Sequence, residues 1–288
     1  MPQGNVSFRL VEKQPNFEEI FQSRNPPNVK IVKGMKIEET ALSTQVDFAN
    51  RDLGGGVLNN GMVQEEIRFM MCPEMIVGMI VCNRMKQNQA ISIVGAQAYS
   101  SYSGYSYNTK WEPLKRCDER QNTPEWRDKF QRLRIECLAI DALHFKGTPQ
   151  TTLRQQLKRE MIFRELHKAY VGFSAQPGFT EIPIVSGWWG CGAFNGNKPL
   201  KFLIQVIAAA AAKRPLLICP FNENEMADDC RKFIGTIMKE NMTCGNLLRL
   251  LMKLAGQNPP EEFSENIVFA SLEHELKKNK REVAEKRK

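Results

Sequence analysis

Three consecutive glycines, Gly54, Gly55 and Gly56, lie between a hydrophobic run ending at Ala49 and a helical pattern that opens with Gln64, Glu65 and Glu66. Such a run has no side chains to keep a ligand away, and it adopts positive φ at little steric cost. Its successive N–H groups can converge on an anion, and a helix starting just beyond adds partial positive charge. The alternative is a flexible turn before an amphipathic helix with acidic residues in its first turn. Either way the order is strand, glycine loop, helix, and it points to an α/β fold with a site at the strand's end.

The strand candidate is Thr44–Ala49, which places Asp47 and Asn50 where it feeds the glycines. Both are site candidates, and both residue types also cap turns through local side-chain bonds. The same arrangement recurs later: Ile182–Ser186, then the glycine-rich Gly187–Gly196, then an apolar helix through Ala212. Two such loops on one sheet could hold a diphosphate between them. Cys191 lies inside the second loop with no histidine near in sequence, which argues against a catalytic thiol. Tyr99–Tyr107 holds four of the five tyrosines among serines and glycine. A loop of that kind can stack on a base or sugar at a pocket rim, or simply anchor itself by aromatic packing.

Further strands are expected at Val6–Val11 and Val29–Val32, as sheet edges, and at Ala90–Val94, Ile135–Ile140 and Arg214–Phe221. Ala90–Val94 follows a helical stretch and suggests a crossover unit. Long helical patterns cover Thr152–Phe173, the stretch from Glu225, and residues 246–255; residues 112–133 read as a polar surface connection. His144 and His167 have no sequence partners and are expected to be structural.

With 288 residues the chain can bury a sizeable core. One domain over 1–258 is expected, with 259–288 as a charged helical or disordered tail. The longest apolar runs fall far short of the roughly 20 residues that span a bilayer, and the start shows no leader pattern. An intracellular protein without a membrane segment is the expectation. Eight cysteines are scattered without zinc spacing, so no metal is expected. A net charge of +8 suits an acidic partner such as a phosphate polymer.

The motifs just quoted closely resemble the catalytic macrodomain of animal-type poly(ADP-ribose) glycohydrolases. The likeness lies in Gly54–Gly56 followed by Gln64-Glu65-Glu66, Val46–Arg51, Tyr99–Tyr105, Ala139–Phe145 and Trp189–Phe194, over about residues 5–255. The resemblance implies a three-layer α/β/α macrodomain with a mixed central sheet. It implies hydrolysis of the ribose–ribose O-glycosidic bond of poly(ADP-ribose), without a cofactor, in the nucleus or cytoplasm and in the DNA damage response. The implied partners are poly(ADP-ribose) and ADP-ribosylated proteins, with a monomer acting and no direct nucleic-acid binding. Carried over, Glu66 is the acid/base, and Glu65 holds ribose hydroxyls beside Gln64, Asp47 and Asn50. Gly54, Gly55, Gly56 and the run Gly190, Cys191, Gly192, Ala193, Phe194 grip the diphosphate; Tyr105, Phe221, Ile37 and Glu38 border the adenosine end.

Two departures stand out. Trp188 replaces the Asn of the animal enzymes, and those enzymes carry a helical region ahead of the macrodomain. A non-catalytic ADP-ribose-binding macrodomain is therefore the alternative function, and a nucleic-acid binder using the basic tail is a remote one. Glycosidases set two carboxylates about 5 to 9 Å apart across the scissile bond. Neighbouring helical residues diverge by about 100°, so one glutamate is expected to carry the proton transfer.

Overall fold

The computed structural model describes residues 4–14, 16–114, 123–174, 179, 181–255 and 264–285. In chain order the strands are β1 (Ser7–Glu12), β2 (Val29–Ile31), β3 (Thr44–Asp47), β4 (Gln89–Val94), β5 (Ser101–Ser103), β6 (Lys110–Glu112), β7 (Glu136–Ala139), β8 (Ile184–Ser186) and β9 (Leu216–Ile218). The helices are α1 (Phe17–Gln22), α2 (Gln64–Met71), α3 (Gly78–Val81), α4 (Pro149–Gln156), α5 (Arg159–Phe173), α6 (Lys198–Ala211), α7 (Asn224–Lys239), α8 (Cys244–Leu254) and α9 (Ile267–Glu285).

Among the described residues the main sheet has seven strands in the order β1-β4-β7-β3-β8-β9-β2. The pairs β7–β3, β3–β8, β8–β9 and β9–β2 are parallel; β1–β4 and β4–β7 are antiparallel. The sheet is therefore mixed, with β1 and β2 at its edges. Alternation along β7 shows how the layers form. Leu138 joins the core with α5, α6 and α8, whereas Cys137 and Ala139 join the opposite core with Ile67, Phe69 and Met75. A period of two sends neighbours to opposite faces, and both faces are covered.

Four expectations need revision. Alternation and branching mark a strand but carry no direction, and β4 runs antiparallel between β1 and β7 instead of completing a parallel crossover. The tyrosine segment is not wholly loop, because Ser101–Ser103 pairs with Lys110–Glu112 as a small hairpin. The pattern over 152–173 is split where Lys158 takes extended backbone (φ −67°, ψ 137°), giving α4 and α5. Within 259–288, Ile267, Val268, Phe269 and Leu272 are buried in the main core, and Phe269 stacks on Phe233 at 4.5 Å. Charge dominates the composition of that segment and hides the apolar face of α9. Parts of 112–133 and 259–288 lie outside the described residues.

Candidate active site

Loops leaving the C-terminal ends of β3, β8 and β9 meet over the sheet, where open α/β sheets place their ligands. With residues 35–38, Ala142 after β7, and Tyr102 and Tyr105, they enclose a cleft of about 530 Å³.

At one end, the first three residues of α2 hold the loop after β3 by its backbone. Gln64 accepts from Phe48 N–H (2.8 Å) and donates to the Val46 carbonyl (3.1 Å). Glu65 accepts from Asn50 N–H and Gly54 N–H, both at 2.7 Å. Glu66 accepts from Gly56 N–H at 2.9 Å and, reaching back as helix caps do, from Val63 N–H at 3.0 Å. Gln64, Glu65 and Glu66 line the cleft.

In this geometry the glycine N–H groups have partners within the protein. The N–H groups of Gly54 and Gly56 are spent on the two glutamates, and that of Gly55 on the Asp52 carbonyl at 3.1 Å. Gly54, Gly55 and Gly56 are not among the residues that line the cleft. Their smallness serves the carboxylates instead. A Cβ on Gly55 (φ +52°) would lie 2.5 Å from Glu66 Oε1 and 2.6 Å from Glu65 Oε2. Both carboxylates thus approach the bare face of Gly55, where any side chain would collide with them.

Asp47 is also displaced from the cleft. It is fully buried at the end of β3, and among the described residues neither carboxyl oxygen has a hydrogen-bond partner. Burial pushes its carboxyl up to about 8, against the pull of Arg68, and the charge of Glu66 adds to the rise. Burial likewise raises Glu65, to about 10, and the Asp47 charge reinforces it while the Asn50 and Gly54 N–H groups resist.

The second glycine loop forms the adjoining wall. Gly190, Cys191, Gly192, Ala193 and Phe194 all line the cleft, and burial raises the Cys191 thiol, which suits a wall residue better than a nucleophile. Trp189 is buried beneath and donates from Nε1 to the Ile140 carbonyl at 2.9 Å. Trp188 donates from Nε1 to the Pro220 carbonyl at 3.0 Å, fastening this loop to the one after β9. That loop carries Phe221 (φ +52°), whose ring lies 5.2 Å from that of Tyr105, and the Tyr105 hydroxyl accepts from the Gln64 N–H at the start of α2. Ile37 and Glu38 also line the cleft. His144 stacks on Phe194 at 5.3 Å, and His167 Nε2 meets the Lys13 carbonyl at 2.9 Å, both as packing residues.

Residues 16–228 match the family described as "Poly (ADP-ribose) glycohydrolase (PARG), Macro domain fold". The chain belongs to this family. It is 54% identical over 255 residues to poly(ADP-ribose) glycohydrolase 1 of Caenorhabditis elegans, covering 87% of this chain and 33% of that protein. It is 46% identical over 286 residues to poly(ADP-ribose) glycohydrolase 2 of the same organism, covering 97% and 58%. Poly(ADP-ribose) glycohydrolase 1 of Arabidopsis thaliana is 28% identical over 329 residues, covering 89% and 58%. The chain thus spans about a third to three-fifths of these relatives. Its sheet and helical layers are the macrodomain of the glycohydrolase family.

Within this macrodomain the cleft gathers Ile37, Glu38, Asn50, Gln64, Glu65, Glu66, Tyr105, Gly190–Phe194 and Phe221, and leaves out Asp47 and Gly54–Gly56. Sequence reasoning missed Lys36, Phe48, Lys198 and Glu223, which also line it. Lys198 and Glu223 each sit beside a glycine loop or strand end already singled out, and that adjacency was the available signal. Among the described residues, no three His, Cys, Asp or Glu side chains are gathered as metal ligands.

The buried acids make stability depend on pH. A carboxyl with a raised folded pKa keeps its proton where the unfolded chain has lost it, so stability falls as pH rises. For Asp47 the window runs from the ordinary 3.8 to about 8. Asp47→Asn is expected to add ~1 kcal/mol or more in urea titrations near pH 8, offset in part by Arg68 losing its anion, and nothing below about pH 4. A gain of equal size at both pH values would rule out the buried charge as its cause.

Proposed function

We propose that this chain hydrolyses the ribose–ribose O-glycosidic bond of poly(ADP-ribose) and releases ADP-ribose, with Glu66 transferring the proton. The observation that carries the reading is one cleft that gathers Glu65, Glu66 and the Tyr105–Phe221 pair, 5.2 Å between rings, in a chain of this family. The second glycine loop lines the same cleft, where it can face the diphosphate of such a ligand.

In this mechanism protonated Glu66 donates to the departing ribose oxygen, and its carboxylate then activates the attacking water. The bound diphosphate offsets part of the oxocarbenium-like charge. Each Glu65 oxygen accepts one backbone N–H and keeps a lone pair for a ribose hydroxyl, beside Gln64 and Asn50. The buried Asp47 acts from behind, raising Glu65. Attack and departure both depend on one proton-transfer group, since Glu65 is engaged with the ribose hydroxyls.

The substrate reading extends to ADP-ribosylated proteins as carriers of the polymer, an intracellular setting in nucleus or cytoplasm, a role in the DNA damage response, and action as a monomer. No helix among the described residues is long and apolar enough to cross a membrane. The deciding experiment is incubation of the purified chain with poly(ADP-ribose), following free ADP-ribose. Release supports the enzyme; tight binding without release would turn the reading to a macrodomain that only binds.

Tyr105→Ala is expected to raise KM roughly tenfold and to lower kcat as well, because the ring contributes binding while its hydroxyl accepts from the Gln64 N–H beside Glu66. Steady-state kinetics on poly(ADP-ribose) check it. A fall in kcat with KM unaltered would place Tyr105 in the chemistry.

A further inference from the structure

Lys198 opens α6 and lines the cleft together with the second glycine loop. Its ammonium lies 3.0 Å from Glu223 Oε1 and 3.0 Å from Glu265 Oε1. Glu223 belongs to the cleft wall, whereas Glu265 comes from the C-terminal segment just before α9. That segment is stitched down on both sides of the lysine: Asn197 Nδ2 donates to the Glu265 carbonyl at 3.5 Å, and Asn266 Nδ2 donates to Asp229. Below it, Phe269 packs on Phe233 and Phe202.

Two carboxylates around one ammonium leave net negative charge on a wall that, on the reading above, faces a ligand diphosphate. Like charges repel there, so the carboxylates oppose the ligand while Lys198 attracts it. The Glu223 and Glu265 side chains are 47% and 51% exposed, against 19% for Lys198. Half-exposed carboxylates return to water at little cost, so a phosphate can replace them on the lysine. We propose that Lys198 is an exchangeable counter-ion, held by Glu265 of the C-terminal segment in the empty cleft and by the ligand's diphosphate in the filled one. Occupancy of the cleft and the seating of the segment before α9 are then coupled, and the coupling is reciprocal.

This inference rests on the cleft taking ADP-ribose, and the test separates the two. Calorimetric titration at low salt measures ADP-ribose, with uncharged adenosine as control, against wild type, Lys198→Met, Lys198→Arg and Glu265→Gln. Lys198→Met should weaken ADP-ribose roughly tenfold, as loss of one charge-assisted bond does. Lys198→Arg should largely restore it. Glu265→Gln should tighten it about two- to fivefold, by removing a competitor of surface ion-pair strength. Adenosine should not respond to any of the three. A lysine that merely staples the C-terminal segment predicts that Lys198→Met and Glu265→Gln shift binding in the same direction or not at all, and that result would overturn the proposal. So would equal losses for adenosine and ADP-ribose. Failure of the wild type to bind ADP-ribose overturns the proposed function, and this inference with it.

Discussion

Glu66→Gln is expected to reduce release of ADP-ribose from poly(ADP-ribose) by about 10²–10⁴-fold, the usual worth of a positioned proton-transfer group, with ADP-ribose binding kept. The amide matches the carboxylate in size, so the cleft keeps its shape. One of its two positions becomes NH₂, however, and must face either Gly56 N–H or Val63 N–H, which Glu66 now satisfies. A modest drop in melting temperature should therefore accompany the loss, and calorimetric titration with ADP-ribose separates the two effects. Near-normal turnover by the variant would sink the assignment of Glu66.

The second large effect lies behind the cleft. Asp141, just past β7, is buried between cations: its Oδ1 is 2.7 Å from Lys168 Nζ, its Oδ2 bonds Arg164, and Arg51 Nε approaches to 4.0 Å. Arg164 also pairs with Glu165 at 2.5 Å, and Glu165 in turn holds Lys201, whose ammonium sits 3.6 Å from the Trp189 ring centre. Lys168 also donates to the Lys86 and Gln89 carbonyls, at 2.6 and 2.5 Å. Asp141→Asn strips the negative charge from this cluster and leaves the wholly buried Lys168 without its carboxylate. Breaking a buried pair in this way costs on the order of 3–5 kcal/mol. Urea unfolding should show it; a loss below about 1 kcal/mol would mean that the cations find other acceptors.

The start of α2 is legible in sequence because a glutamate three residues into a helix reaches back to the cap by local geometry alone. The strand order around it is less so. Val46 pairs with Leu138 and Gln45 with Val185, contacts across 92 and 140 positions that no local pattern encodes. The glycine loop is only partly legible for a related reason. Sequence shows that Gly54 and Gly56 offer N–H donors, and an anion is the natural acceptor, but the acceptors turn out to be the protein's own Glu65 and Glu66. Asp47 reads equally well as a cleft residue or a buried one, since burial depends on what packs above the strand end. The second loop was readable because Gly190–Phe194 repeats the same strand, glycine loop, helix order, whereas Lys198 has its meaning only once Glu223 and Glu265 converge on it.

The indole of Trp188 joins loops from two adjacent parallel strands through its bond to the Pro220 carbonyl. With the Cys219 N–H bond to the Ser186 carbonyl at 2.8 Å beneath it, that seam ties the wall from Gly187 to Phe221 into one plate. A small-molecule inhibitor that wedges into the seam has to break the indole bond before it gains any surface. One that lies along the intact plate binds a surface already assembled, and chemical series aimed at this chain are best grown in that direction.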